Sequence, residues 1–86
     1  MVYVDDAMIP YGQMKMSHMM AERLDELHHM ADTIGVERRH FEGDHYYICK
    51  TKRALAVKAG AVEVTQREMV ILRRTLLADG RGEGTA

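Results

Sequence analysis

The sequence predicts a small α/β or α+β domain. It has a sheet of about four strands in the order β-β-α-β-α-β-α, with the helices packed on the sheet. Three observations carry this. Met20, Leu24, Leu27, Ala31 and Ile34 recur at spacings of four and three, which places them on one helical face. A helix–Gly–strand unit occurs twice, around Gly35 and around Gly60, so helices and strands alternate. Thr65-Gln66-Arg67-Glu68 has the form of a capping box, with an apolar run behind it. The 86 residues leave room for one domain.

Val2-Tyr3-Val4 is a β-prone run that stops at Asp5-Asp6. Residues 7–13 hold the only Pro, Pro10, together with Gly12, and read as a loop. Met14, Met16, His18 and Met20 then alternate with Lys15, Ser17 and Met19, a period-two pattern for a second strand. Its short connection leaves an antiparallel direction open.

The first helix is predicted over residues 22–34. Its acidic first turns suit the positive end of the helix dipole, and Gly35 stops it. Val36 to Phe41 is expected to form a polar strand, and Gly43-Asp44 marks a turn. Tyr46, Tyr47 and Ile48 extend a strand or pack a loop. Thr51 caps a second helix over residues 52–59, ended by Gly60. Ala61 to Val64 is a strand. The last helix runs to about Ala78 on a stripe of Met69, Leu72 and Leu76. Residues 1–78 thus form a single domain, and residues 79–86, Gly-rich and polar, form a tail expected to be disordered.

Composition narrows the function classes. A single cysteine, Cys49, excludes an internal disulfide and fits a reducing, cytoplasmic setting. Cys49 reads as a small core residue rather than as a catalytic thiol. No apolar run is long enough to span a membrane and no signal peptide is visible, so no membrane partner is expected. The eight methionines serve chiefly as core, with adaptable binding faces as the alternative. The net charge of −1 hides an acidic segment over residues 1–36 and a basic one over 37–58. A basic segment suits a phosphate or an acidic partner, but the chain as a whole is not basic enough to indicate nucleic acid on charge alone.

If the strands are parallel, their carboxyl ends bring Asp5, Asp6, His18, the stretch His40 to His45 and Thr65 to one rim. Asp5, Asp6 and His18 then offer oxygen and nitrogen ligands to a divalent metal. The plainer alternative makes the two aspartates a turn and a cap. His28 lies by the apolar stripe and reads as a half-buried, hydrogen-bonded core residue, whereas His29 faces solvent. His45 sits between Asp44 and Tyr46, where a carboxylate orients an imidazole for acid–base work, unless it is simply a satisfied loop residue. Arg38, Arg39, Lys52 and Arg53 flank that turn. They suit phosphate, with Tyr46 and Tyr47 as stacking partners for a nucleotide or nucleic-acid strand. Pairing with Glu37, Glu42 and Asp44 is the plainer role for these cations. No phosphate loop, Ser-His-Asp order or cysteine-pair motif is present.

Asp5, Ser17-His18-Met19, Glu26-Leu27-His28, Ile34-Gly35, Arg39, Phe41-Glu42-Gly43-Asp44-His45-Tyr46 and Ala59-Gly60-Ala61 occur in an order that resembles a known family. It is the set of small bacterial and phage proteins catalogued as domain of unknown function four-zero-three-one. The likeness runs from about Val2 to Leu77, through the Arg67-Glu68 start of the last helix, and is most specific at Gly-Asp-His-Tyr. The resemblance implies a fold and a site, not a reaction. It directs attention to Asp5, His18, His28, His45, Tyr46, Arg39 and Arg53. Two departures stand out. Tyr47 occupies a place where the family usually has Asp; if that Asp is an essential ligand or base, the resemblance implies that this chain is impaired or uses Asp44 instead. Glu22-Arg23 stands where Asp or Ser-Asp precedes the first helix.

Two functions follow as expectations. In the first, a rim of Asp5, His18 and His45, with Arg39, Arg53, Asp44, Tyr46 and His28 as ligand-binding residues, handles a phosphate-bearing ligand or nucleic acid. Its enzymatic version is metal-assisted phosphoester hydrolysis. In the second, the chain is a non-enzymatic phage accessory or protein-binding module acting on a host protein. Met8, Ile9 and Met19 are candidates for a homodimer face. The first requires Asp5, His18 and His45 around one point. The second requires scattered histidines and an exposed apolar patch.

Overall fold

The structure is a computed structural model that describes residues 1–78. Its elements are β1 (Val2–Val4), β2 (Ile9–Tyr11), β3 (Met14–Ala21), α1 (Leu24–Ile34), β4 (Tyr46–Cys49), α2 (Lys50–Lys58), β5 (Val62–Glu63) and α3 (Gln66–Ala78), with a short 3-10 turn at Arg38–His40. They make an α+β domain with a mixed sheet of five strands.

The sheet is built around β3, the one long strand. Its alternation puts Ser17, Met19 and Ala21 on a buried inner face and Met16, His18 and Met20 on the outer one. β1 and β2 both pair antiparallel with β3, Val4 opposite Met19 and Ile9 opposite Met16. The two strands are therefore one hairpin arm, interrupted where residues 5–8 stand opposite only Ser17 and His18. β4 pairs antiparallel with the other side of β3, and β5 pairs parallel with β1.

Three expectations are corrected. The stretch 7–13 is not all loop: it contains β2, which accommodates Pro10 because β2 pairs on one side only. Gly12, at φ 60°, opens the tight turn into β3. Val36 to Phe41 is not a strand. Its three consecutive polar residues Arg38, Arg39 and His40 stay exposed in the 3-10 turn, and only Phe41 makes a bridge, to Tyr46. The sheet is mainly antiparallel, and β1 with β5 is its only parallel pair among the described residues.

Helices α1 and α2 cover the inner face, where Val2, Val4, Met19, Leu27, Ala31, Ile34, Tyr46, Ile48 and Ala56 form the main core. Gly35 ends α1 at φ 80°, the left-handed conformation expected there. Helix α3 covers part of the outer face through Met69, Leu72 and Leu76 against Tyr3 and Met20. Its capping box forms as the sequence predicts: the Glu68 amide donates to Thr65 Oγ1 at 3.0 Å, and the Thr65 amide to Glu68 Oε1 at 2.8 Å. Met19 is fully buried, which removes it from any dimer face, whereas Met8 is exposed. Among the described residues no helix is long and apolar enough to cross a membrane. The tail expected at 79–86 lies outside the described residues.

Candidate functional site

The interruption between β1 and β2 makes the first half of the site. Asp5 follows Val4 on the outer side of the arm, and its carboxylate takes the place of missing ladder acceptors. Oδ1 accepts the backbone amides of His18 at 2.8 Å and Ala7 at 3.2 Å. Oδ2 lies 2.6 Å from His18 Nδ1. Asp5 is fully buried. Burial alone would push its carboxyl up, but the hydrogen bonds from the His18 ring and the two amides prevail and hold it below the ordinary carboxylate range. An ionised carboxylate only accepts, so His18 Nδ1 carries the proton and Nε2 is left for the site.

The second half comes from the Gly-Asp-His-Tyr turn. Gly43 sits at φ 81°, where a side chain would be strained. The Glu42 amide donates to the His45 carbonyl at 2.7 Å and the Asp44 amide to the Glu42 carbonyl at 2.9 Å, which closes the turn. His45 Nδ1 then meets Asp44 Oδ1 at 2.6 Å, and Arg73 of α3 ion-pairs with Asp44 Oδ2. Burial pushes the Asp44 carboxyl up, but Arg73 and His45 outweigh it and the net shift is downward. Here too Nδ1 is the donor. His45 Nε2 is buried with no hydrogen-bond partner among the described residues.

These halves face each other. The His18 and His45 rings have centroids 5.4 Å apart at 66°. Tyr47, directly across from His18 in the β3–β4 pair, contacts both rings at 5.0 and 4.9 Å. One face of α3, with Gln66, Met69, Val70 and Arg73, completes a cavity of about 160 Å³ that Asp5, His18, Met20, His45 and Tyr47 also line. That volume is well below the ~300 Å³ at which ligand pockets begin, so it takes one small group such as a phosphoryl, not a whole nucleotide. Two imidazoles, each held by a carboxylate at Nδ1, can bind an anion or pass protons at Nε2.

The other sequence-derived residues lie elsewhere. Arg53 Nε donates to the Asp5 backbone carbonyl at 2.7 Å and Nη1 to Glu63 at 3.0 Å, so it fixes the β1 end from behind. Arg39 is exposed and pairs with Glu37 at 3.2 Å. Tyr46 is buried in the core, where its hydroxyl and His28 Nδ1 share a hydrogen bond of 2.7 Å. Burial raises the Tyr46 phenol and lowers the His28 imidazole, which favours the neutral form of each. The pair ties α1 to β4. Asp6 turns to α3 and accepts the Gln66 amide at 2.7 Å. Of the set Asp5, Asp6 and His18, both carboxylates accept N–H groups. Among the described residues no three His, Cys, Asp or Glu are grouped to hold a metal ion.

Sequence reasoning missed Arg73, Gln66 and Met69 as site residues and read Tyr47 only as a stacking partner, not as the contact between the two imidazoles. The available signal was helical: Gln66, Met69, Val70 and Arg73 recur at three and four, on one face of a well-capped helix. What that face packs against depends on tertiary structure.

Comparison with known proteins agrees with the motif resemblance. The model of a family described as a protein of unknown function (DUF4031) matches residues 2–76. No protein with a curated description and no solved structure matches the chain.

Proposed function

Because the chain belongs to the DUF4031 family, whose description names no activity, we propose a function from the geometry: the cavity binds a phosphoryl group and performs acid–base chemistry on it. The observation that supports this is the facing pair of carboxylate-held imidazoles, with His45 Nε2 buried and without a hydrogen-bond partner among the described residues. An unsatisfied buried nitrogen is costly, and a bound anion or reacting hydroxyl would satisfy it. In the reaction, one imidazole removes the proton from an attacking hydroxyl through Nε2 as the new P–O bond forms. The other, protonated, gives its Nε2 proton to the leaving oxygen as the old P–O bond breaks. Asp5 and Asp44 hold the two rings at their Nδ1 atoms.

The competing proposal is a binding module without catalysis. The exposed Met8, Tyr11 and Met14 on the β2–β3 hairpin favour it. A panel of phosphomonoesters and phosphodiesters, assayed in chelator with wild type, His18→Ala and His45→Ala, separates the two. Turnover that survives chelator and falls at least ~100-fold in either variant supports acid–base catalysis by the pair. Phosphate binding without turnover of any ester supports the module. Absence of phosphate binding at millimolar concentration overturns both roles for the cavity.

A further inference from the structure

Helix α3 covers only part of the outer sheet face, and the uncovered part is a second cavity. It measures about 420 Å³ and is lined by Tyr11, Met16, Tyr47, Arg39, His40 and Glu42, among others. Tyr47 lines both this cavity and the phosphoryl cavity, so the two adjoin at one aromatic ring. The chemistry changes across that ring. On one side stand the two imidazoles. On the other stand Tyr11, which is 68% exposed, and the thioether side chain of Met16. Arg39 and His40 stand at its rim with Glu42 as an acceptor.

A planar, apolar-faced group with polar edges fits such a surface, and the volume suits a base with its sugar. We infer that this cavity is a nucleoside subsite, so that the ligand of the imidazole pair is a nucleoside phosphate whose base stacks on Tyr11 and Tyr47. The inference rests on the phosphoryl role of the first cavity and names the class of ligand it serves. It also gives Arg39 a task that the phosphoryl cavity does not, namely to neutralise a second phosphate when the nucleotide is part of a strand.

Calorimetric titration of the whole chain with inorganic phosphate, ribose 5-phosphate, adenosine monophosphate and a short single-stranded oligoadenylate tests it. Adenosine monophosphate is expected to bind about tenfold more tightly than ribose 5-phosphate, from base stacking. Tyr11→Ala, an exposed position that the fold tolerates, is expected to erase that difference and leave phosphate affinity unchanged. Tighter binding of the oligonucleotide that Arg39→Ala removes identifies a strand as the ligand, and equal affinity identifies a free nucleotide. If phosphate binds but the nucleotide gains nothing over the sugar phosphate, the nucleoside subsite is wrong while the phosphoryl cavity stands. If none of the four binds, both are wrong.

Discussion

At the scale of single residues, the carboxylates of Asp5 and Asp44 link the site to stability. Both are held below their ordinary value of 3.8 in the folded chain. Between the folded and unfolded values the unfolded state binds more protons, so stability rises with pH there. Their contribution is fully present above about pH 4 and is lost as pH falls through the folded values. Denaturant melts at successive pH values should therefore show stability dropping below about pH 4. In Asp44→Asn the drop should be shallower. An equally steep acid limb in that variant would show that Asp44 is not held by its partners. Arg73 is part of the same unit. Without its ion pair to Asp44, the larger of the side-chain hydrogen bonds that offset burial of that carboxyl is gone.

At the scale of elements, the interrupted hairpin explains why Asp5 is both scaffold and site. Two amides depend on its Oδ1 while its Oδ2 holds the His18 imidazole. Asp5→Ala is expected to cost about 3 kcal/mol in urea denaturation, because it strands those amides. His45→Ala should cost only about 1 kcal/mol, since one nitrogen of that ring has no partner to lose among the described residues. Equal costs would contradict the division between scaffold and site. Much at this scale was legible beforehand. The alternation from Met14 to Met20 places His18 on the outer face, and the α1 stripe, the Gly35 stop and the α3 capping box are read directly from spacing. The stretch 7–13 was not legible, because a Pro on an edge strand has the same local signature as a loop. Val36 to Phe41 failed for a different reason. Its β-prone ends enclose four polar residues, and only the position of β4 decides that this segment turns instead of pairing.

At the scale of the whole molecule, the sequence brought Asp5, His18, Asp44 and His45 into view as chemistry-bearing groups. Their convergence depends on β3 running antiparallel to both neighbours, a property that no local pattern carries. Under the parallel layout the rim would also have gathered Asp6 and Thr65, which instead cap α3. The charges of Arg39 and Arg53 suggested a phosphate clamp, but the fold uses Arg53 as a brace and sets Arg39 beside the larger cavity. The positive end of α3 is likewise already satisfied by Asp6 and Thr65, so the helix dipole adds little for an anion. The imidazoles are left to do the binding. The most direct test is ¹⁵N NMR of the five histidine side chains during a titration with inorganic phosphate. The account predicts that His18 and His45 both start in the Nδ1–H form and that both shift with phosphate, while His28, His29 and His40 stay in place. Phosphate that moves neither ring, or only histidines outside the cavity, would contradict it.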